Sequence, residues 1–421
     1  MSTSTKHDVV VVGAGLAGLR AARDLADAGR RVLVLEARDR VGGRGWTSAF
    51  PGINISVELG GSFFTEHHSL VAQELKRYGL GVLEQIDPVS STRWHTGGQL
   101  RLDTPFSGDD AASAAALQRM NDDAAAMASG TQDPRFELSL DGYLDAINAP
   151  EPMRDLAYGW WSITGGGDPA IGCVNGILGS MISEGPIGEL QPKLPYAPDP
   201  GWSALALAMA ATDGVDLEYG QAVSQVFHDD VSVSVRTVDS TFTAAAVVMA
   251  IPVTTYSRVR FSPSLPDRLE DAFGCSAGQA FKVWMLTRGV PHRALAFGLG
   301  RGLNLLYCDR VVGDNTLVLG IGWPVPGFDP SRREDLECGL QHFFPESELL
   351  AHVTHDWLTD PASLGTWVNP IAGQSQRLTP AAWAPTGRLA FASSDFAAEH
   401  SGWFEGALVS GTAAARAILE L

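Results

Sequence analysis

Asp8-Val9-Val10-Val11-Val12-Gly13-Ala14-Gly15-Leu16-Ala17-Gly18 is the stretch from which the fold can be read. Four valines closed by a glycine suit a short strand buried on both faces of a parallel sheet, where no polar residue has to alternate with the apolar ones. Gly13, Gly15 and Gly18 then complete G-x-G-x-x-G. From Leu16 to Ala28, the residues Leu16, Leu19, Ala22, Leu25 and Ala26 fall on one face at helical spacing, and Gly29 stops the helix. Arg31 to Leu35 follows as a second strand and ends on Glu36.

That order of parts is what a dinucleotide site requires. Glycines let the backbone approach a pyrophosphate, and the helix amino terminus turns free N–H groups and a positive dipole toward it. Gly13, Gly15, Leu16, Ala17 and Gly18 are therefore the candidate phosphate contacts. Glu36 lies about twenty positions beyond the fingerprint, where an acid accepts from a ribose hydroxyl. A glycine turn made only for packing is the competing reading, and strand, glycines, helix, strand and acid in register argue against it. An acid at this place favours an unphosphorylated ribose but does not separate NAD from FAD.

Bulk properties narrow the function classes. The 421 residues carry a net charge of −18 and 45% hydrophobic residues, enough for two domains, successive or interleaved. The charge excludes nucleic acid, whose binding needs a basic face, and an anionic membrane surface. A cationic small molecule suits such a field better. Met1 to His7 is short and polar, and Val9 to Val12 is far too short for a signal segment or a membrane span, so the reading is a cytoplasmic protein. Cys173, Cys275, Cys308 and Cys338 are scattered, without metal-site spacing. The Ala-rich stretch from Asp109 to Ala128 reads as a helix.

Beyond the second strand, Glu36-Ala37-Arg38-Asp39-Arg40-Val41-Gly42-Gly43-Arg44 resembles the E-A-R-x-R-x-G-G-R segment of the flavin-containing amine oxidases, the family of monoamine and polyamine oxidases. Glu58-Leu59-Gly60-Gly61-Ser62 is similar to the family's D-L-G-G-A. Val247 to Val253 resembles the segment in which the chain returns to the FAD domain, and the resemblance puts Val223 at the adenine. Gly387 to Ala417 looks like the family's last segment: a strand from Leu389 to Ala392, a loop, and a helix starting near Gly402. Ser401-Gly402-Trp403-Phe404-Glu405-Gly406-Ala407 follows S-G-x-x-E-G-A.

The resemblance implies an α/β, two-domain flavoprotein: a Rossmann-like FAD-binding domain from 1–85, 200–286 and 371–421, and a mixed α+β substrate domain from 86–199 and 287–370. It implies FAD, touched by Ala37, Arg38, Gly43, Arg44, Gly60, Gly61, Ser62, Val223, Asp395, Phe404 and Glu405 besides the fingerprint. Some relatives tether the flavin through a cysteine that falls at Thr366 here, so noncovalent FAD is expected. The family's F-A-G-E-H-T becomes Phe391-Ala392-Ser393-Ser394-Asp395-Phe396, which moves the acid by one place.

Lys282 sits in Gln279-Ala280-Phe281-Lys282-Val283-Trp284-Met285, an apolar strand pattern where an ammonium needs either a task or a route to water from an edge strand. In the family a lysine here holds a water against flavin N5. Trp367 and Trp403 fall where the family places two aromatic rings that flank the substrate amine. Face-on rings attract an amine and fix its α-carbon over the flavin. The implied reaction converts a primary or secondary amine to an imine and then a carbonyl compound, with O2 reduced to hydrogen peroxide; a homodimer is compatible with the chain. Two alternatives stay open. A related amino-acid oxidase or desaturase would need a carboxylate-binding arginine, for which Arg93 and Arg101 are available. A binding protein of the same fold would hold no flavin.

Overall fold

The protein was analysed as a computed structural model that describes residues 7–84, 89–184 and 196–421. The opening stretch forms strand β1 (Val9–Val12) and helix α1 (Leu16–Asp27), followed by strand β2 (Val32–Leu35). Gly29 ends α1 with φ +81°, its N–H bonded to the Ala26 carbonyl at 2.8 Å. β1 and β2 lie inside a five-stranded sheet ordered Leu389–Phe391, Ala246–Met249, β1, β2, Val215–Glu218. Every pairing in it is parallel.

Period-2 geometry sorts these side chains into two cores. Val9, Val11, Val32, Val34, Ala246 and Val248 face α1 and the carboxyl-terminal helix Phe404–Leu419. Val10, Val12, Leu33, Leu35, Val247 and Met249 face the opposite way, where Val226, Val233 and Val235 meet them. Those three come from a separate four-stranded sheet of residues between Gln225 and Ser262. Both faces are thus covered at β1, β2 and Ala246–Met249, which contain no polar residue, whereas the edge strand Val215–Glu218 carries Asp216 and Glu218.

The second body is a seven-stranded sheet, antiparallel except where Ala294–Gly298 runs parallel to Ser91–Thr96. Helices Ala111–Ala128, Leu140–Ala146 and Glu151–Thr164 pack on one side of it around Trp160, Trp161 and Phe297. The domain boundary expected at residue 286 falls inside strand Phe281–Arg288, which pairs on both sides with strands of this sheet, Asn315–Gly322 and Glu348–Thr354. Lys282 therefore belongs to the seven-stranded sheet. The reason is that Val283, Trp284, Met285 and Leu286 form a buried apolar run that needs a strand on both edges. The boundary expected at 85 lies outside the described residues.

Candidate active site

At the nucleotide end, α1 starts at Gly15 with no side-chain cap and no acid in its first turn, although Leu16 and Ala17 are buried. A buried helix amino terminus without a partner is a place for an anion. Gly13, at φ +103°, has the Ala250 carbonyl 2.5 Å from where a Cβ would stand, and at Gly18 a Cβ would lie 2.0 Å from the Gly13 carbonyl oxygen. Both must be glycine for β1, the turn and α1 to pack. Gly43 closes against Gly15, with 3.1 Å from its would-be Cβ to the Gly15 Cα.

Glu36 is buried, and its two carboxylate oxygens accept from the Ala14 and Arg38 N–H groups at 2.8 and 2.9 Å. Each oxygen keeps a lone pair for a ribose hydroxyl. The Gln221 N–H bonds the Glu36 carbonyl at 2.8 Å, which leads the chain past this corner to Val223, packed against the core that contains Leu33 and Leu35. These residues fit the adenosine half of a dinucleotide.

Further in, several of the expected cofactor residues have partners within the protein. The Arg38 guanidinium is held by Asp360 at 2.9 Å and by Ser363 Oγ at 2.6 Å, and it also stands 3.8 Å from Glu36, whose carboxylate its backbone N–H bonds as well. Arg44 donates to the Thr366 carbonyl at 2.5 Å and pairs with Asp395 at 2.7 Å. Asp395 is fully buried, and its other oxygen accepts from the Val253 N–H at 2.9 Å; the carboxylate is thus enclosed by protein groups. Glu405 accepts from the Leu70 and Val71 N–H groups at 2.8 and 2.9 Å, capping helix Ser69–Arg77. It presents its backbone at the start of the carboxyl-terminal helix, whose amino end has no side-chain cap.

The paired glycines of Glu58-Leu59-Gly60-Gly61-Ser62 also have protein neighbours. A Cβ on Gly60 would stand 1.8 Å from the Arg44 carbonyl oxygen, and one on Gly61 would stand 2.5 Å from the Phe404 ring. Phe404 in turn lies 3.9 Å, centroid to centroid, from Trp202. These glycines thus permit a close approach of Arg44 and Phe404.

Lys282 Nζ donates to the Gly60 carbonyl and to Ser62 Oγ, the latter at 2.5 Å. Its strand is interior to the sheet, which removes the edge-strand alternative. Loss of water lowers its pKa from 10.5 to about 7, against the opposing pull of Glu58 and Asp309. Trp367 anchors its indole N–H on the Thr164 carbonyl at 3.0 Å and its ring passes close over Gly166. Its Cβ lies 3.6 Å from the would-be Cβ of Gly402, next to Trp403. The Trp403 ring rests 5.0 Å from His68, whose burial lowers its pKa to about 4 and keeps it neutral. Sequence reasoning did not single out His68, and Glu66-His67-His68 carries no spacing signal that points to it.

The flavin-containing amine oxidoreductase family model matches residues 16–419, nearly the whole chain. The chain belongs to that family. It is a flavin-dependent amine oxidoreductase and FAD is its cofactor. Among curated relatives of this amine oxidoreductase, the (S)-6-hydroxynicotine oxidase of Paenarthrobacter nicotinovorans is 29% identical, covering 98% of this chain and 99% of that one. The putrescine oxidase of Kocuria rosea is 27% identical over 99% and 96%. Among solved structures, putrescine oxidase bound to putrescine superposes with a TM-score of 0.85 at 22% identity, covering 99% of both chains.

Among the described residues no helix is long and apolar enough to cross a membrane and no group of side chains is arranged for a metal ion. Arg93 donates to the Phe343 carbonyl at 2.9 Å and lies over the Phe344 ring. It and Arg101 sit on the last two strands at one end of the seven-stranded sheet, four and five strand positions from that of Lys282.

Proposed function

We propose that the protein oxidises a primary or secondary amine at the carbon beside nitrogen, with O2 as the final oxidant and FAD held without a covalent tether. FAD supplies the acceptor for the hydride lost from that carbon, and O2 carries the electron pair away as hydrogen peroxide. The chain's own residues bind and orient. Trp367 and Trp403 approach from different segments and present aromatic faces to the amine. Neutral His68 behind Trp403 adds no charge that would repel a cationic substrate. Lys282 holds a water at Nζ and exchanges protons with it near neutral pH, because its burial has brought its pKa to about 7.

The observation that carries this reading is the placement of Lys282: a lysine from the substrate sheet donating into the Gly60–Ser62 turn of the cofactor side. Support for the substrate class comes from relatives named for oxidation of hydroxynicotine and putrescine, both amines. Thr366, in the position where a tether would need a thiol, supports noncovalent FAD. A cytoplasmic location and a homodimer accompany the proposal.

The test is to record the visible spectrum of the purified protein, precipitate it with acid, and follow peroxide over a panel of amines and amino acids. Flavin in the supernatant and peroxide with amines are expected. Flavin left in the pellet would overturn the noncovalent attachment. Flavin bleaching without peroxide would overturn O2 as oxidant, and turnover confined to amino acids would overturn the substrate class.

A further inference from the structure

The 356–365 loop is organised around one carboxylate. Asp360 accepts from Arg38 at 2.9 and 3.2 Å, from the Ala362 N–H at 2.9 Å, and meets His355 Nε2 at 2.9 Å. Its carbonyl takes the Ser363 and Leu364 N–H groups at 3.0 and 2.9 Å. Arg38 adds its bond to Ser363 Oγ at 2.6 Å, and Thr254 Oγ1 donates to the Ser363 carbonyl at 2.5 Å. The Gly365 N–H bonds the Trp357 carbonyl at 3.1 Å and closes the loop, while Trp357 Nε1 donates to the Leu59 carbonyl at 2.9 Å. Immediately beyond, the Thr366 carbonyl accepts from Arg44, and Trp367 follows. Two arginines of the cofactor-side segment, Arg38 and Arg44, thus grip both ends of the short run that delivers Trp367 to the site.

The geometry points to Arg38 and Asp360 as positioning residues for substrate binding: their ion pair fixes the 356–365 loop against the cofactor-binding segment and thereby sets the place of Trp367. Both side chains are largely buried, at 15% and 10% exposure, so the pair is held in one geometry rather than sampled at the surface. A bidentate guanidinium–carboxylate contact supplies direction as well as attraction. Displacement of a substrate-orienting group by about 1 Å is enough to lower turnover strongly. The inference rests on the reading of Trp367 as a substrate-facing ring.

The experiment is a double-mutant cycle with an amine the enzyme oxidises, using Asp360→Asn, Trp367→Ala and the double variant, with bound FAD measured from the visible spectrum. Asp360→Asn is expected to raise KM about tenfold with FAD content unchanged, and to raise it no further once Trp367 is alanine, since coupled residues are not additive. Asp360→Glu should recover part of the loss. Ser363→Ala, a milder change that keeps the ion pair, should move KM in the same direction by about twofold, and gives the same reading if Asp360→Asn does not fold. Additive losses in the double variant would overturn the proposal alone, as would loss of FAD in place of the KM change. Unchanged kinetics in Trp367→Ala by itself would overturn the substrate-facing reading and the proposal with it.

Discussion

Lys282 Nζ and Ser62 Oγ, 220 positions apart in sequence, meet at 2.5 Å and join the seven-stranded sheet to the glycine turn of the cofactor side. Lys282→Met keeps the length of the side chain and removes the donor. Anaerobic reduction of the flavin by substrate should slow by about a hundred- to ten-thousandfold, the range for loss of a positioned proton-transfer group, while FAD stays bound. An unchanged reduction rate in a stopped-flow trace removes Lys282 from the chemistry.

The same lysine sets a dependence of stability on pH. Its pKa lies near 7 in the fold and at 10.5 as an ordinary lysine, so between those values the unfolded chain binds a proton that the folded chain has released. Stability contributed through this group therefore rises with pH across that window and is flat below it. The melting temperature of the wild type relative to Lys282→Met should climb from pH 7 toward pH 10. A difference that stays constant would show that Lys282 keeps its proton in the fold.

Gly18→Ala would press a methyl group to within 2.0 Å of the Gly13 carbonyl and force α1 away from β1. The purified variant should be colourless or nearly so, with the cofactor lost before the fold. Full FAD content in this variant contradicts the phosphate assignment of the glycine turn.

Glu405→Gln separates a structural role from a catalytic one. The carboxylate caps helix Ser69–Arg77 through two N–H groups, and weakening such a cap lowers stability by about 1 kcal/mol. Melting temperature should fall by a few degrees while KM for the amine and the flavin spectrum hold. A raised KM without a change in melting temperature would place Glu405 at the substrate instead.

The parallel sheet and its nucleotide corner were legible because each part has a local cause: valine runs buried on both faces, glycines packed at 2–3 Å, and an acid where β2 ends. Lys282 was legible as an anomaly, a cation in an apolar strand. The destinations of Arg38, Arg44, Asp395 and Glu405 were not. Each is a long or charged side chain whose partner lies more than 140 positions away, and nothing in the local pattern distinguishes a guanidinium that meets phosphate from one that meets Asp360. At Gly60 and Gly61 the sequence reports that space is needed, and only the fold reports that Arg44 and Phe404 stand where a Cβ would be.

The five-stranded sheet draws its neighbours from residues 9–12, 32–35, 215–218, 246–249 and 389–391, so β1 has one partner within reach and another more than 230 positions later. At roughly 5–20 residues per second of synthesis, β1 waits tens of seconds for the helix that buries one of its faces, while the strand at 389–391 joins the sheet beside Ala246–Met249. The sheet is therefore completed only once residues 389–419 have been made, and a chain interrupted before them leaves the valine face of β1 without its covering helix.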